Sequence, residues 1–279
     1  MAQPSYSVGT DLPPHTLRAH NEAIDSENKI HDDAVAAQYG FRGGLVPGVS
    51  VYAYMTYPIV RQFGPDWLTR GTARVTLAKP FYQDDEVLVS ATVTAASEGE
   101  LSFDIRSTNV DGVACGVGSA TLPAIAATPP AIDAVPAGAP AERIPVSWDV
   151  VLVGEALPAL NETVSQAENE TYCREHSDDL ELYRGPQGYI HPGWMLQRCN
   201  RIFSNRFILN PWIHVGSDIA MHRPCRVGDP LEVRGITIDK FERKGHHFAV
   251  LDILILANGE VAQRVKHTAI FQPRRAGAE

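Results

Sequence analysis

The sequence contains an internal repeat, and this repeat limits the folds that the chain can adopt. One set of matching positions has a constant spacing of 144 residues and consists of Lys79, Pro80 and Asp85 in the first half and Arg223, Pro224 and Asp229 in the second. Upstream, LVPG at 45–48 matches IHPG at 190–193, and downstream Asp111-Gly112 corresponds to Asn258-Gly259. Landmarks that recur in the same order at nearly constant spacing predict one structural unit used twice in tandem.

The two copies are separated by residues 126–147, which hold five prolines and many alanines and show no hydrophobic period. Such a composition is typical of a semi-extended linker, because proline interrupts both helix and sheet. The sequence therefore predicts an N-terminal unit over 1–125, a linker over 126–147 and a C-terminal unit over 148–279.

The same elements are predicted in both copies. A long apolar stretch follows Pro47-Gly48 and a second one follows Pro192, and each suits a buried helix with proline in its first turn. Pro58 lies within the first stretch and predicts a kink or an end there. Alternating patterns predict strands over 72–79, 86–96, 101–109 and 114–122, then 213–221, 231–240, 247–256 and 261–271. The predicted class is α+β, with two curved antiparallel sheets, each wrapped around a central helix and able to pair edge to edge.

Composition excludes several classes of protein. The net charge of -9 argues against a general nucleic-acid binder. No apolar run approaches the ~18 residues that a membrane span needs, and the N-terminus shows no secretory signal. The four cysteines stand far apart in the sequence, which favours reduced thiols in a cytoplasmic protein over disulfides or a metal site.

One polar segment, DSENKIHDD at 25–33, offers groups for chemistry. Asn28 and His31 lie in a short turn, and the glycine-rich YGFRGGLVPG at 39–48 leads to the start of the first predicted helix. An imidazole with polar neighbours can act as an acid or base. Free backbone amides at Gly48 could polarise a carbonyl oxygen. The alternative is a purely structural role, in which Asn28 and His31 only cap the following helix.

Here the chain resembles the MaoC-like, R-specific enoyl-CoA hydratases of the hot-dog fold, whose motif reads roughly G-D-x-N-P-[LIV]-H. Asn28 and His31 match the motif at its spacing, Gly48 matches the glycine at the helix start, and the tandem layout is similar to the double hot-dog members. Ser26 stands where the family has its catalytic Asp, with Asp25 one residue earlier. Pro47 replaces the histidine before the glycine.

In the second copy, SDDLELY at 177–183 is similar to a remnant of the same motif. Asp178 has the right distance, but Tyr183 occupies the place of the histidine, so neither copy carries an intact Asp/His pair. His191 and Gly193 lie at the matching helix start. Degenerate copies often become one wall of a substrate pocket, which gives Asp178, Tyr183, His191 and Gly193 a predicted role in substrate binding.

The resemblance implies an acyl-CoA hydratase or dehydratase acting on 2-enoyl or 3-hydroxyacyl thioesters, with coenzyme A as part of the substrate and no other cofactor or metal. Asp25, Asn28 and His31 would be catalytic, and Ser26, Pro47 and Gly48 would contact the substrate. Two alternatives stay open: a thioesterase on the same fold, and a catalytically inactive acyl-CoA-binding protein. Arginines 198, 201 and 206 could contact a nucleotide phosphate, and a homodimer of double units is expected by analogy alone.

Overall fold

Each half of the chain folds into a long helix and a set of antiparallel strands. The computed structural model describes residues 6–209 and 211–277. The first half contains β1 (His15–Arg18), α1 (Asp33–Ala37), α2 (Gly48–Phe63), α3 (Pro65–Arg70), β2 (Thr72–Leu77), β3 (Glu86–Ser97), β4 (Glu100–Thr108) and β5 (Ala114–Leu122). The second contains β6 (Ile144–Pro145), β7 (Ala156–Thr163), α4 (Gln166–Glu175), α5 (Pro192–Ser204), β8 (Phe207–Ile208), β9 (Ile213–Met221), β10 (Pro230–Arg243), β11 (His246–Ala257) and β12 (Glu260–Gln272).

The halves share one continuous antiparallel sheet. Its strand order is β1-β3-β4-β5-β2-β9-β12-β11-β10-β7. The seam is the pairing of β2 with β9, which runs from Thr72 opposite Ala220 to Thr76 opposite Gly216. The predicted α+β class and the predicted edge-to-edge pairing are confirmed. Pairing across the seam gives each half-sheet a neighbour for an edge that would otherwise be exposed.

Backbone contacts repeat between the halves at a spacing of 144 residues, which is the spacing of the Lys79 and Arg223 landmarks. Leu45 bridges to Tyr82, and Tyr189 bridges to Arg226, 144 residues later in each case. The same turn follows, because the amide of Tyr82 donates to Asp85 at 3.0 Å, and that of Arg226 donates to Asp229 at 2.7 Å. The matching sequence landmarks therefore mark the same local geometry in both copies.

The central helices α2 and α5 pack against each other inside the curved sheet. All side chains of α2 from Val49 to Val60 are buried, so burial rather than an amphipathic pattern stabilises this helix. The helix continues past Pro58 to Phe63, so it does not end at the proline. Gly193 permits the close approach of α5, because a Cβ there would lie 2.4 Å from Ala53 Cβ. Within the described residues, no helix is long and apolar enough to cross a membrane.

The proline- and alanine-rich segment packs along the second half. It contains a short 3-10 helix (Ile132–Ala134) and strand β6, which pairs in parallel with β8. Val135 is fully buried against Leu254, Leu256 and Val261. This ordered packing was not predicted from the composition, because proline excludes regular ladders but not burial of single apolar side chains.

Three further elements were not predicted from the sequence. Strand β1 pairs with β3, and β7 pairs with β10, so each lies at one end of the sheet. Helix α4 begins at a capping box formed by Ser165 and Glu168. This helix leads into the loop that carries the second-copy motif.

Candidate functional site

The Asn28 side chain connects the first-copy motif to the second half of the chain. Its Oδ1 accepts from the amide of Trp212 at 3.1 Å, and its Nδ2 donates to the Trp212 carbonyl at 2.9 Å. Oδ1 also caps the 3-10 helix Lys29–His31 through the Ile30 amide at 3.5 Å. Because Trp212 directly precedes β9, Asn28 fixes the motif loop against the seam between the halves.

His31 is buried, and its hydrogen bonds define its tautomer. Nδ1 lies 2.6 Å from the Leu45 carbonyl oxygen, which can only accept, so Nδ1 carries the proton. Nε2 therefore presents its lone pair, and Asn28 Nδ2 lies 3.2 Å from it. Burial lowers the pKa of His31, against smaller opposing effects of the Leu45 hydrogen bond and the Glu22 carboxylate. His31 is thus a neutral base at neutral pH.

The glycine-rich stretch before α2 packs directly against the backbone of His31. A Cβ at Gly44 would lie 2.0 Å from the His31 carbonyl oxygen, so a larger residue cannot occupy this position. The same carbonyl accepts from Asn21 Nδ2 at 2.9 Å. The Gly44 amide donates to Asp33 Oδ1 at 2.7 Å. The tight packing holds the His31 loop against the approach to the helix.

The start of α2 offers free backbone donors. Pro47 is the N-cap residue and makes no side-chain cap. Within the described part of the chain, the amides of Gly48 and Val49 have no hydrogen-bond acceptor. A Cβ at Gly48 would lie 2.2 Å from Leu77 Cδ1 and 3.0 Å from His214 Nδ1. The glycine is therefore required by close packing, and N–H groups without an acceptor at a helix start suit a partly negative oxygen.

These groups line a cavity of about 250 Å³ between the two halves. His31, Pro47, Gly48 and His214 face it together with mostly apolar side chains, among them Ile30, Phe41, Val51, Leu77, Phe81 and Ile270. A second groove of about 210 Å³, with more charged residues in its lining, shares Asn28, His31, Pro47, Asn200 and Trp212 with the cavity and is also lined by Ser26, Glu27, Arg143 and Arg201. An apolar chamber that opens toward a polar groove can accept a ligand with an apolar and a polar part.

The structure does not bring Asp25 to this cavity. Its side chain is exposed and has no hydrogen bond within the described residues. The buried carboxylate of the region belongs to Glu22, whose Oε1 accepts from Ser50 Oγ at 2.5 Å. His176 Nε2 lies 3.7 Å from the same oxygen, beyond hydrogen-bond length. Burial raises the pKa of Glu22, but His176 and Ser50 outweigh this effect and lower it.

The second-copy residues gather at the start of α5 and not at the cavity. Asp178 Oδ2 lies 3.1 Å from His191 Nε2, and His191 Nδ1 accepts from the Gly193 amide at 3.0 Å. The second copy therefore does contain an Asp/His pair, formed by residues that are not neighbours in the motif. Tyr183 is fully buried beside them, and within the described residues its hydroxyl has no partner. None of these predicted binding residues lines the cavity or the groove.

A buried polar chain across β9, β12 and α5 was not predicted from the sequence. His214 Nε2 lies 2.9 Å from Ser217 Oγ, which lies 2.9 Å from His267 Nδ1. His267 Nε2 lies 2.9 Å from Asn200 Oδ1. Burial lowers the pKa of His214 to about 4. Burial and the neighbouring His214 ring lower the pKa of His267 well below its usual value. Both ends of this chain, His214 and Asn200, line the cavity.

Comparisons with known proteins support the fold. No protein-family model matches the sequence, and no curated protein matches it significantly. Among solved structures, a MaoC domain protein dehydratase from Chloroflexus aurantiacus aligns at a TM-score of 0.71 and 12% identity, with 96% of each chain covered. A Mycobacterium tuberculosis protein with a double hot-dog fold aligns at 0.66 and 15% identity, covering 95% of this chain and 96% of that one.

A Lactobacillus plantarum oleoyl thioesterase aligns more loosely, at a TM-score of 0.54 and 8% identity, covering 95% of this chain and 98% of that one. The predicted double hot-dog fold is thus confirmed, and the chain shares it with MaoC-like dehydratases. At these identities the likeness concerns the fold, and the same fold carries more than one activity.

Proposed function

We propose that the protein is a hydratase or dehydratase that interconverts 2-enoyl and 3-hydroxyacyl thioesters in the cavity between its halves. The observation that carries this proposal is the neutral imidazole of His31 in the same mostly apolar cavity as the free Gly48 amide at the start of α2. A base and an oxyanion-binding site in one cavity are what addition of water next to a thioester requires.

In the hydration direction, the oxygen of water forms a bond to C3 of the enoyl thioester, and His31 Nε2 takes a proton from this water. The electron pair of the C2–C3 double bond moves toward C1, and the carbonyl oxygen becomes an enolate oxygen. The Gly48 amide stabilises that negative charge. The proton on His31 Nε2 then passes to C2, which restores the carbonyl and the neutral imidazole.

The two parts of the cavity fit the two parts of such a ligand. The apolar walls would hold the acyl chain, and the polar groove would hold the carrier, with coenzyme A entering as part of the substrate. Arg143 and Arg201 line this groove. Arg143 pairs with Glu27 at 2.7 Å and Arg201 with Glu162 at 2.7 Å, so each cation is held in place and partly neutralised. A cytoplasmic location fits the four buried, unpaired cysteines.

The test is an absorbance assay with crotonyl-CoA and a longer enoyl-CoA, run beside a thiol-release assay on the same samples. Loss of the enoyl absorbance without thiol release is the expected result. Thiol release would instead identify a thioesterase.

A ligand-binding protein without catalysis is the second candidate, favoured by one observation. Asn28 Nδ2 already lies within hydrogen-bond distance of the His31 lone pair, at 3.2 Å. No change in either assay, together with thermal stabilisation by acyl-CoA, would support this candidate and contradict the hydratase.

A further inference from the structure

Asn200 presents an accessible hydrogen-bond donor that the proposed mechanism does not use. This half-buried residue of α5 lines both the cavity and the polar groove, as His31 does. Its Oδ1 lies 2.9 Å from His267 Nε2, and within the described residues its Nδ2 has no hydrogen-bond partner. Nδ2 is not one of the buried side-chain atoms that lack a partner, so it keeps accessible surface.

The polar chain behind Asn200 determines which way its amide faces. Both histidines of this chain are buried and neutral, so each ring carries one proton. If the amide were turned, with Nδ2 toward His267 and every hydrogen bond of the chain reversed, the proton of His214 would lie on Nδ1. That atom is buried and has no partner within the described residues, and buried N–H groups without an acceptor are rare. His267 Nε2 therefore donates to Asn200 Oδ1, which leaves the NH2 group free to bind a ligand.

Asn200 and His31 offer a donor and an acceptor at the junction of the cavity and the groove. Both residues line both spaces, and so do Asn28, Pro47 and Trp212. His31 Nε2 presents a lone pair, whereas Asn200 Nδ2 presents an N–H group. An oxygen that donates one hydrogen bond and accepts another complements this pair. Water and a hydroxyl group have such an oxygen, whereas a carbonyl oxygen can only accept.

We propose that Asn200 is the binding residue for the oxygen that the reaction adds at C3, with Nδ2 donating to this oxygen while His31 Nε2 accepts from it. The hydrogen bond reaches the water before the addition and the 3-hydroxyl group after it, so the oxygen is held in place in both directions of the reaction. This assignment rests on the proposed function for its class of substrate. His31 belongs to the first copy and Asn200 to the second, so each half supplies one of the two groups.

Steady-state hydration of crotonyl-CoA by Asn200→Ala tests the assignment. Crotonyl-CoA has no oxygen at C3, so its KM should stay nearly unchanged while kcat falls about tenfold. Asn200→Asp, which keeps an acceptor for His267 and lacks the amide donor, should behave in the same way and gives the measurement if the alanine variant does not fold. Asn205→Ala is the matched control, because Asn205 ends the same helix but lines neither the cavity nor the groove, and it should keep both parameters.

Binding to a His31→Ala parent, which lacks the base and so prevents turnover, gives a second readout. Dissociation constants for butyryl-CoA and for each enantiomer of 3-hydroxybutyryl-CoA are measured by calorimetry. One hydroxyl enantiomer is expected to bind about three- to tenfold tighter than butyryl-CoA. Adding Asn200→Ala should remove this preference without weakening the binding of butyryl-CoA, whereas a purely structural role of Asn200 would weaken the binding of all three esters.

An unchanged kcat in the Asn200 variants would overturn the assignment, and a raised KM at unchanged kcat would place Asn200 on the carrier instead. Equal binding of the hydroxyl and saturated esters to the parent would also overturn it, as would a preference that survives Asn200→Ala. The hydratase proposal would stand in each of these cases if the unmodified protein hydrates crotonyl-CoA. Failure of all three esters to bind, with no hydration by the unmodified protein, would overturn both.

Discussion

At the scale of single residues, the proposed chemistry depends on the Nε2 lone pair of His31. His31→Ala should lower turnover of crotonyl-CoA by about 10²-fold or more, because it removes the proposed base. Steady-state kinetics provide the measurement. Lys29→Ala, in the same 3-10 helix but lining neither the cavity nor the groove, is the matched control and should keep its activity. Comparable loss in both variants would indicate a structural role for the loop.

Gly48 allows a second prediction at this scale. In Gly48→Ala the new methyl group meets Leu77 Cδ1 and His214, so the start of α2 must shift, at a cost of about 1–3 kcal/mol in the free energy of unfolding. Turnover should fall as the free amides move. Gly43→Ala is the control, because its nearest contact is the end of the Asp33 side chain, an oxygen 3.1 Å away, and not a backbone atom. Denaturant unfolding and steady-state kinetics should both show a larger loss in Gly48→Ala than in Gly43→Ala. Equal losses of stability and of turnover in the two variants would argue against the amide site.

The residues also show where sequence reasoning was limited. Asn28 and His31 could be predicted to lie together, because residues of one short motif keep their local geometry, and the family resemblance added Gly48, 17 residues further along the chain. Asp25 could not be placed, since its exposure depends on how the loop packs. The contact between Asp178 and His191 spans 13 residues of irregular chain, and no local pattern encodes such a contact.

At the scale of secondary-structure elements, alternation and turn residues predicted eight strands nearly to their ends. The same rule of alternation gives a wrong result for His214 and Ser217. These residues lie three positions apart, so in a regular strand their side chains should face opposite sides of the sheet. A register shift opposite Thr268 and Ala269 leaves Val215 as an extra residue in β9, and both side chains then point inward. A bulge of this kind leaves no clear signal in a single sequence.

The starts of α2 and α5 are equivalent in the repeat, but only the start of α2 lines the cavity. This difference leads to a prediction for the second copy. Tyr183→Phe removes a buried hydroxyl that has no partner among the described residues, so the melting temperature should stay unchanged or rise. Activity should be retained, because Tyr183 does not line the cavity. Tyr189→Phe is the control and should lower stability, since its hydroxyl accepts from Arg226 at 2.9 Å. Loss of activity in Tyr183→Phe would indicate that the second-copy residues contribute to the substrate site.

At the scale of the whole molecule, the seam between β2 and β9 makes the two halves interdependent. The cavity takes His31 and Gly48 from the first half and Trp212 and His214 from the second, so neither half contains the site alone. The repeat could be predicted from sequence spacing, but the shared cavity required the pairing of the halves to be known. The asymmetry of the copies is thus a property of the assembled sheet: the first-copy helix start borders a cavity, and the second-copy helix start is filled by Tyr183 and its neighbours.

Burial of histidines in both halves predicts how the stability of the whole protein depends on pH. Burial lowers the pKa of His31, His191 and His267, and that of His214 to about 4. Below their unfolded value near 6.5 the unfolded chain binds more protons than the folded protein, so the free energy of unfolding must decrease as pH falls from about 6.5 toward 4. His214→Phe should reduce the slope of the free energy of unfolding against pH, by the equivalent of up to about one bound proton. Urea unfolding at several pH values measures the slope, and a variant with the unchanged slope would show that His214 is already protonated in the folded protein.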